Sequence, residues 1–179
     1  LQNINMAFIN KSNITIGCWN VEGLRTRYGS STLSKLEFND FKEYLTEDIL
    51  CLLETHAKQD DRIELKGYNS VSINRAKNSK YGRFSGGIAI MIREELKHRV
   101  EIIKSNETEH VWVRLIKANI ETQGDIFVCF AYLSPINSVY NSQEDVISKI
   151  MADVTRYNQK GKCIVVGDLN GYTNKEPDF

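Results

Sequence analysis

The feature that most constrains this chain is an apolar run that breaks into an acid and an amide. Cys163-Ile164-Val165-Val166-Gly167 reads as a strand, and Asp168-Leu169-Asn170 ends it. Side chains alternate along a strand, so Asp168 and Asn170 face one point at the rim of a sheet. The pattern recurs. Ile14–Trp19 ends in Asn20-Val21-Glu22, Ile49–Leu53 ends in Glu54-Thr55-His56, and Asp125–Ala131 leads to Tyr132 before Leu133-Ser134-Pro135. Open α/β folds place their sites at such strand ends.

Between these ends lie the elements of one domain. Residues 1–12 read as a frayed, polar lead-in and residues 13–179 as the domain. Arg25 to Thr32 is polar and reads as a loop. Leu36, Phe38, Phe41 and Leu45 mark an amphipathic helix that Ser34 caps. Further strands are expected over 68–73, 88–92, 98–103 and 110–116. A capping box at Ser142-Gln143-Glu144-Asp145 opens a second helix, which buries Val146, Ile147, Ile150, Met151, Val154 and Tyr157. Antiparallel-looking strands together with helices that connect parallel ones indicate a mixed-sheet α/β or α+β domain.

Composition narrows the class. Lys+Arg and Asp+Glu both number 23, so the net charge is zero, which argues against coating nucleic acid through bulk charge. A local basic surface remains open. Residues 66–93 contain no acid but hold Lys66, Arg75, Lys77, Lys80, Arg83 and Arg93, interleaved with Tyr68, Tyr81 and Phe84. That mixture suits a loop contacting a phosphate backbone, with Arg75, Lys77, Lys80 and Arg83 as its contacts. Cys18, Cys51, Cys129 and Cys163 lack metal-ligand spacing and are expected as buried free thiols. No apolar run reaches membrane-spanning length, and a monomer without membrane contact is expected.

The strand ends supply three carboxylates (Glu22, Glu54, Asp168), two carboxamides (Asn20, Asn170) and one phenol (Tyr132). Hard oxygen ligands without a Cys or His cluster suit Mg²⁺, or Mn²⁺, bound together with a substrate phosphate. Amides and a phenol can hydrogen-bond that phosphate without adding repulsive charge. The set fits cleavage of a phosphodiester or a phosphomonoester.

WNVEGLR (19–25), LLETH (52–56), SGGIAIMIRE (85–94), YLSPIN (132–137) and VVGDLNG (165–171) resemble, in order, the motifs of the endonuclease/exonuclease/phosphatase superfamily. That superfamily includes apurinic (AP) endonucleases, deoxyribonuclease-I-like enzymes and inositol-polyphosphate phosphatases. WNVEGLR is similar to the AP endonuclease pattern, whereas ETH and GDLNGYT look more like the endonuclease domain of LINE-type (non-LTR) retrotransposons. The resemblance implies a four-layer α-β-β-α sandwich of the deoxyribonuclease-I-like type and Mg²⁺-dependent in-line hydrolysis. It implies Glu54 as principal metal ligand, Glu22 as a second acid near the metal, and Asp168 as the group that orients or deprotonates water. Asn20 and Asn170 would hold the phosphate and the acids, Tyr132 would contact the scissile phosphate, and Asn137 resembles a further phosphate-side position. His56 would support Glu54 by position, while His98 and His110 read as structural.

The family's final Ser-Asp-His-like run has no counterpart before Phe179. The chain is therefore expected to carry the metal side of the pocket, with the histidine side open, and to fold poorly or show little activity alone. The leading expectation is a DNA endonuclease that nicks one strand in the nucleus and leaves a 3′-hydroxyl, encoded with a reverse transcriptase. An AP-endonuclease-like repair enzyme, an inositol-polyphosphate or lipid phosphatase, and an inactive retrotransposon remnant are the alternatives.

Overall fold

A computed structural model describes residues 13–28, 31–75, 84–103, 107–116, 124–135, 138 and 143–170. The first sheet contains β1 (Ile16–Asn20), β4 (Ile49–Leu53), β5 (Tyr68–Ile73) and β6 (Ile88–Arg93), in the order β1-β4-β6-β5. The second contains β7 (Val100–Ile103), β8 (His110–Leu115), β9 (Asp125–Tyr132) and β10 (Gly161–Asp168), in the order β10-β9-β8-β7. Each sheet has one parallel pair, β1 with β4 and β9 with β10; the remaining pairs are antiparallel. A β-strand can return parallel only through a crossover, and helix α2 (Gln143–Tyr157) supplies it between β9 and β10.

The two sheets pack face to face. Ile49, Cys51, Leu53, Ile88, Ile90 and Ile92 from the first meet Val111, Val113, Leu115, Val128 and Phe130 from the second. The alternate residues of each strand face outward into two further cores. Leu50, Leu52, Ala89 and Met91 pack against Val21, Leu24, Leu45 and Tyr68. Trp112, Phe127, Cys129 and Ala131 pack under Val146, Ile150 and Tyr157 of α2. Strands such as β4 and β6 are thus covered on both faces, which is why they read as unbroken apolar runs. This is the mixed α/β sandwich that the sequence led us to expect.

Four expectations need correction. Arg25–Thr32 is not a loop: β2 (Arg25–Tyr28) and β3 (Ser31–Ser34) form an antiparallel hairpin. The helix expected after Ser34 is broken. Ser34 does cap, in a capping box with Glu37, but it opens only a 3-10 turn (Lys35–Glu37), and Phe38 is extended before the single turn of α1 (Asn39–Lys42). The strand expected from His98 starts at Val100, after a 3-10 turn at Glu94–Leu96. On α2, Val146, Ile150 and Tyr157 are buried, whereas Ile147 and Met151 are exposed on its flank. Its expected cap, Ser142, lies outside the described residues. No described helix is long and apolar enough to cross a membrane. The four cysteines are free; Cys51 and Cys129 are buried, and Cys18 and Cys163 are partly so.

Candidate active site

The site forms where the parallel pairs of both sheets end. In the strand registers Asn20 lies opposite Leu53, the residue before Glu54, and Asp168 lies opposite Tyr132. The chain leaving β1 stays alongside the chain leaving β4, because Gly23 N–H donates to the Glu54 carbonyl and Leu24 N–H to that of Thr55. The second pair is closed the same way, with Leu133 N–H donating to the Asp168 carbonyl.

Asn20 joins the two halves. Its Nδ2 donates to Glu54 Oε1 at 3.1 Å and to Asp168 Oδ2 at 2.8 Å, and its Oδ1 accepts from Glu22 N–H at 3.0 Å. Two acids distant in sequence are therefore drawn to one amide nitrogen. Asn170 braces the far side: its N–H donates to Asp168 Oδ1 at 3.1 Å and its Nδ2 to the Leu133 carbonyl at 2.7 Å. The Tyr132 hydroxyl lies beside the Glu54 carboxylate. Burial, then the hydrogen bond and the charge of Glu54, push this phenol well above its ordinary pKa, with Arg75 opposing. Tyr132 is thus held in its neutral, hydrogen-bond-donating form.

The backbone marks the same place. All four non-glycine residues with positive φ among the described residues are here: Glu22 (46°), Glu54 (53°), His56 (50°) and Asn170 (42°). A left-handed backbone costs an ordinary side chain on the order of 1 kcal/mol, and such strain concentrates at functional sites. Turns at Glu54 and His56 are held from β6's side, where Thr55 N–H and His56 N–H donate to the Gly87 and Gly86 carbonyls. His56 Nε2 lies 3.3 Å from Glu54 Oε2, a contact that the ETH spacing alone could only suggest.

The predicted residues divide as follows. Asn20, Glu54, Tyr132, Asp168 and Asn170 come together. Glu22 is exposed and reaches the cluster through its N–H; no group of three or more His, Cys, Asp or Glu side chains gathers among the described residues. Arg75, expected on an outward-facing basic loop, is buried at 6% exposure and paired with Glu109. Lys77, Lys80, Arg83 and Asn137 lie outside the described residues. His98 sits in a turn, and His110 is buried against α2, with Nε2 3.9 Å from Asp153.

The donor set fits a hard divalent cation. Two carboxylates this close repel each other unless positive charge sits between them. One or two carboxylates, with water and substrate phosphate completing the shell, is how Mg²⁺ is ordinarily held. Glu54 is the residue that would hold it, with the Asp168 carboxylate brought beside it by the Asn20 amide.

Comparisons with known proteins agree with this fold. The fold resembles the catalytic domain of Xenopus laevis APE2 (18% identity, TM-score 0.57, 88% of this chain and 59% of that one). It also resembles D. rerio TDP2 complexed with a single-strand DNA product (16%, 0.55, 90% and 62%) and the Neisseria 3′ phosphatase NExo bound to a product DNA hairpin (16%, 0.51, 88% and 58%). The chain thus spans about three-fifths of the length of these structures. No curated protein matches it in sequence. Residues 17–175, which include every strand end described above, match one family along their whole length, and the chain belongs to that Endonuclease/Exonuclease/phosphatase family.

Proposed function

We propose that this chain carries the metal side of a Mg²⁺-dependent DNA endonuclease site of the LINE retrotransposon type. It would nick one strand and leave a 3′-hydroxyl for a reverse transcriptase encoded with it. The observation that carries the reading is the Asn20 amide donating at once to Glu54 and Asp168. A phosphoesterase needs one acid for a cation and one for water, held close but with different tasks.

In this reading Asp168 accepts a proton from the attacking water. Asn20 and the Asn170 N–H aim its carboxylate, one at each oxygen. Water attacks phosphorus in line, the P–O3′ bond breaks, the water oxygen stays on the 5′-phosphate, and the departing 3′-oxygen takes a proton from solvent to become the 3′-hydroxyl. A cation bound at Glu54 would stabilise charge on the phosphate and on that leaving oxygen. Tyr132, kept protonated, can give its hydroxyl hydrogen to a phosphate oxygen once phosphate displaces Glu54 as its partner. Two solved structures of the same fold hold product DNA, which favours a polynucleotide as the first substrate to try. The ETH triplet and GDLNGYT favour the retrotransposon type over the AP-endonuclease type, and a nuclear site of action follows from that role.

The test is nicking of supercoiled plasmid with Mg²⁺ or Mn²⁺, with EDTA as control, followed by extension of the nick by a polymerase. Extendable nicks that disappear in Glu54→Gln and Asp168→Asn support the proposal. Nicks that persist in both variants would falsify the assigned roles. Cleavage confined to abasic sites, or phosphate release from inositol polyphosphates without nicking, would move the chain to the corresponding alternative.

A further inference from the structure

Arg75 sits in the acid-free stretch that reads as a phosphate-binding surface, yet its guanidinium is buried. A buried guanidinium is tolerated only when its charge and its donors are matched. Its Nη2 lies 3.1 Å from Glu109 Oε1 and donates to Ser134 Oγ at 3.1 Å. Arg75 follows β5 of the first sheet, whereas Glu109 precedes β8 and Ser134 follows β9 of the second. These bonds therefore cross between the sheets, at the end where the site lies.

The seat for Arg75 is made by Gly86. A Cβ there would stand 2.8 Å from the guanidinium carbon, and φ is +64°. The guanidinium also faces Tyr132, with 5.6 Å from its carbon to the ring centroid. Glu109 holds the same tyrosine by a second route, because its carbonyl accepts the Tyr132 N–H at 2.7 Å. The Tyr132 hydroxyl, at the far end of the ring, lies beside Glu54.

We infer that buried Arg75 and half-buried Glu109 form a clamp between the two sheets that positions the Tyr132 hydroxyl against Glu54. Arg75 is thus a positioning residue and not a DNA contact. A lysine cannot replace it fully, since a single ammonium does not reproduce the planar fork that meets Glu109 and Ser134 while lying along the ring. The kinetic consequence rests on the endonuclease reading above; the structural one does not.

Two measurements on the 179-residue chain test the clamp. The first is NMR of protein labelled at tyrosine rings, with the Tyr132 signal identified by its loss in Tyr132→Phe. Arg75→Lys and Glu109→Gln should each move that signal while the other tyrosines hold. An unmoved Tyr132 signal in both folded variants overturns the clamp whatever the activity. The second is steady-state nicking. Arg75→Met should lower kcat by about 100-fold, the scale of a displaced catalytic group. KM and the salt dependence should stay unchanged, Arg75→Lys should fall between, and adding Tyr132→Phe should cost little more. A raised KM and a salt slope reduced by about one, with kcat intact, would make Arg75 a phosphate contact and overturn the inference. A lower melting temperature with kcat intact in Arg75→Lys would make it structural only, which also overturns it. If the wild type shows no activity that Glu54→Gln removes, the endonuclease reading fails, and the NMR arm still decides the clamp.

Discussion

The two acids at the site reach it from unlike strands. Glu54 follows β4, an interior strand between β1 and β6 whose five residues are all buried. Asp168 ends β10, which pairs with β9 alone among the described residues and leaves Ile164 47% and Val165 41% exposed. The first acid leaves a strand packed on both faces, with the Asn20 amide and the Gly23 N–H holding its end. The second is placed by hydrogen bonds at its own end: Asn20 and the Asn170 N–H on its carboxylate, and the Leu133 N–H on its carbonyl. Two acids of one site can therefore rest on unequal mechanical support.

The largest expected effect tests whether the two acids belong to one unit at all. Glu54→Gln and Asp168→Asn should each reduce Mg²⁺-dependent nicking by about 10³-fold or more, and the double variant should be little worse than either. Additive losses, measured as single-turnover rates on plasmid, would mean two independent contributions. The shared Asn20 amide would then be a structural bond only.

Stability should separate the two strands next. Leu52→Ala empties a fully buried position on β4 and should cost about 2–5 kcal/mol in urea unfolding. Val165→Ala on β10 trims a side chain that is already 41% exposed and should cost less than about 1 kcal/mol. Similar costs at both positions would show that β10 is covered in solution and would remove the contrast.

Acid should weaken the second sheet through His110, a smaller effect again. Burial, the largest cause, lowers the pKa of this imidazole beneath its ordinary 6.5, against the opposing charges of Glu107, Asp153 and Glu109 and with the help of Lys149. The unfolded chain then takes up a proton that the folded chain resists. Stability is full above about pH 6.5 and declines as the pH falls below it. His110→Gln should melt with a shallower pH dependence between pH 7.5 and 5.5 than the wild type. An unchanged slope would assign the acid sensitivity elsewhere.

The contrast also explains what could be read without coordinates. Strand cores and their polar ends are local features: β4 and β6 are continuous apolar runs, and Asn20, Glu54, Tyr132 and Asp168 fall where those runs stop. The sandwich, and the gathering of Asn20, Glu54, Tyr132, Asp168 and the nearby Asn170, were legible for that reason. Arg75 was misread because a basic, acid-poor segment looks solvated when its partner, Glu109, is far away in sequence. The β2–β3 hairpin was missed because Arg25-Thr26-Arg27-Tyr28 carries almost no apolar alternation. The helix after Ser34 was overextended because its spacing of Leu36, Phe41 and Leu45 is satisfied by two short turns around an extended Phe38. The contact between His56 and Glu54 depends on two left-handed residues, which no side-chain pattern announces.

The smallest expected effect sits at Glu22, where the two accounts of the site make opposite demands. Its φ of +46° is strained for glutamate and easy for glycine. Its described tie to the cluster is the N–H bond to Asn20, which glycine retains. If the side chain only occupies solvent, Glu22→Gly should raise stability by up to about 1 kcal/mol, since relief of left-handed strain outweighs the added freedom of the unfolded glycine. Nicking should then be unchanged. If the carboxylate joins the cation when DNA is present, the same variant should gain that stability and yet need more Mg²⁺ for half-maximal activity. Thermal unfolding and a Mg²⁺ titration on one variant therefore separate the outcomes. A loss of stability would contradict both accounts and give the Glu22 side chain a contact of its own within the fold.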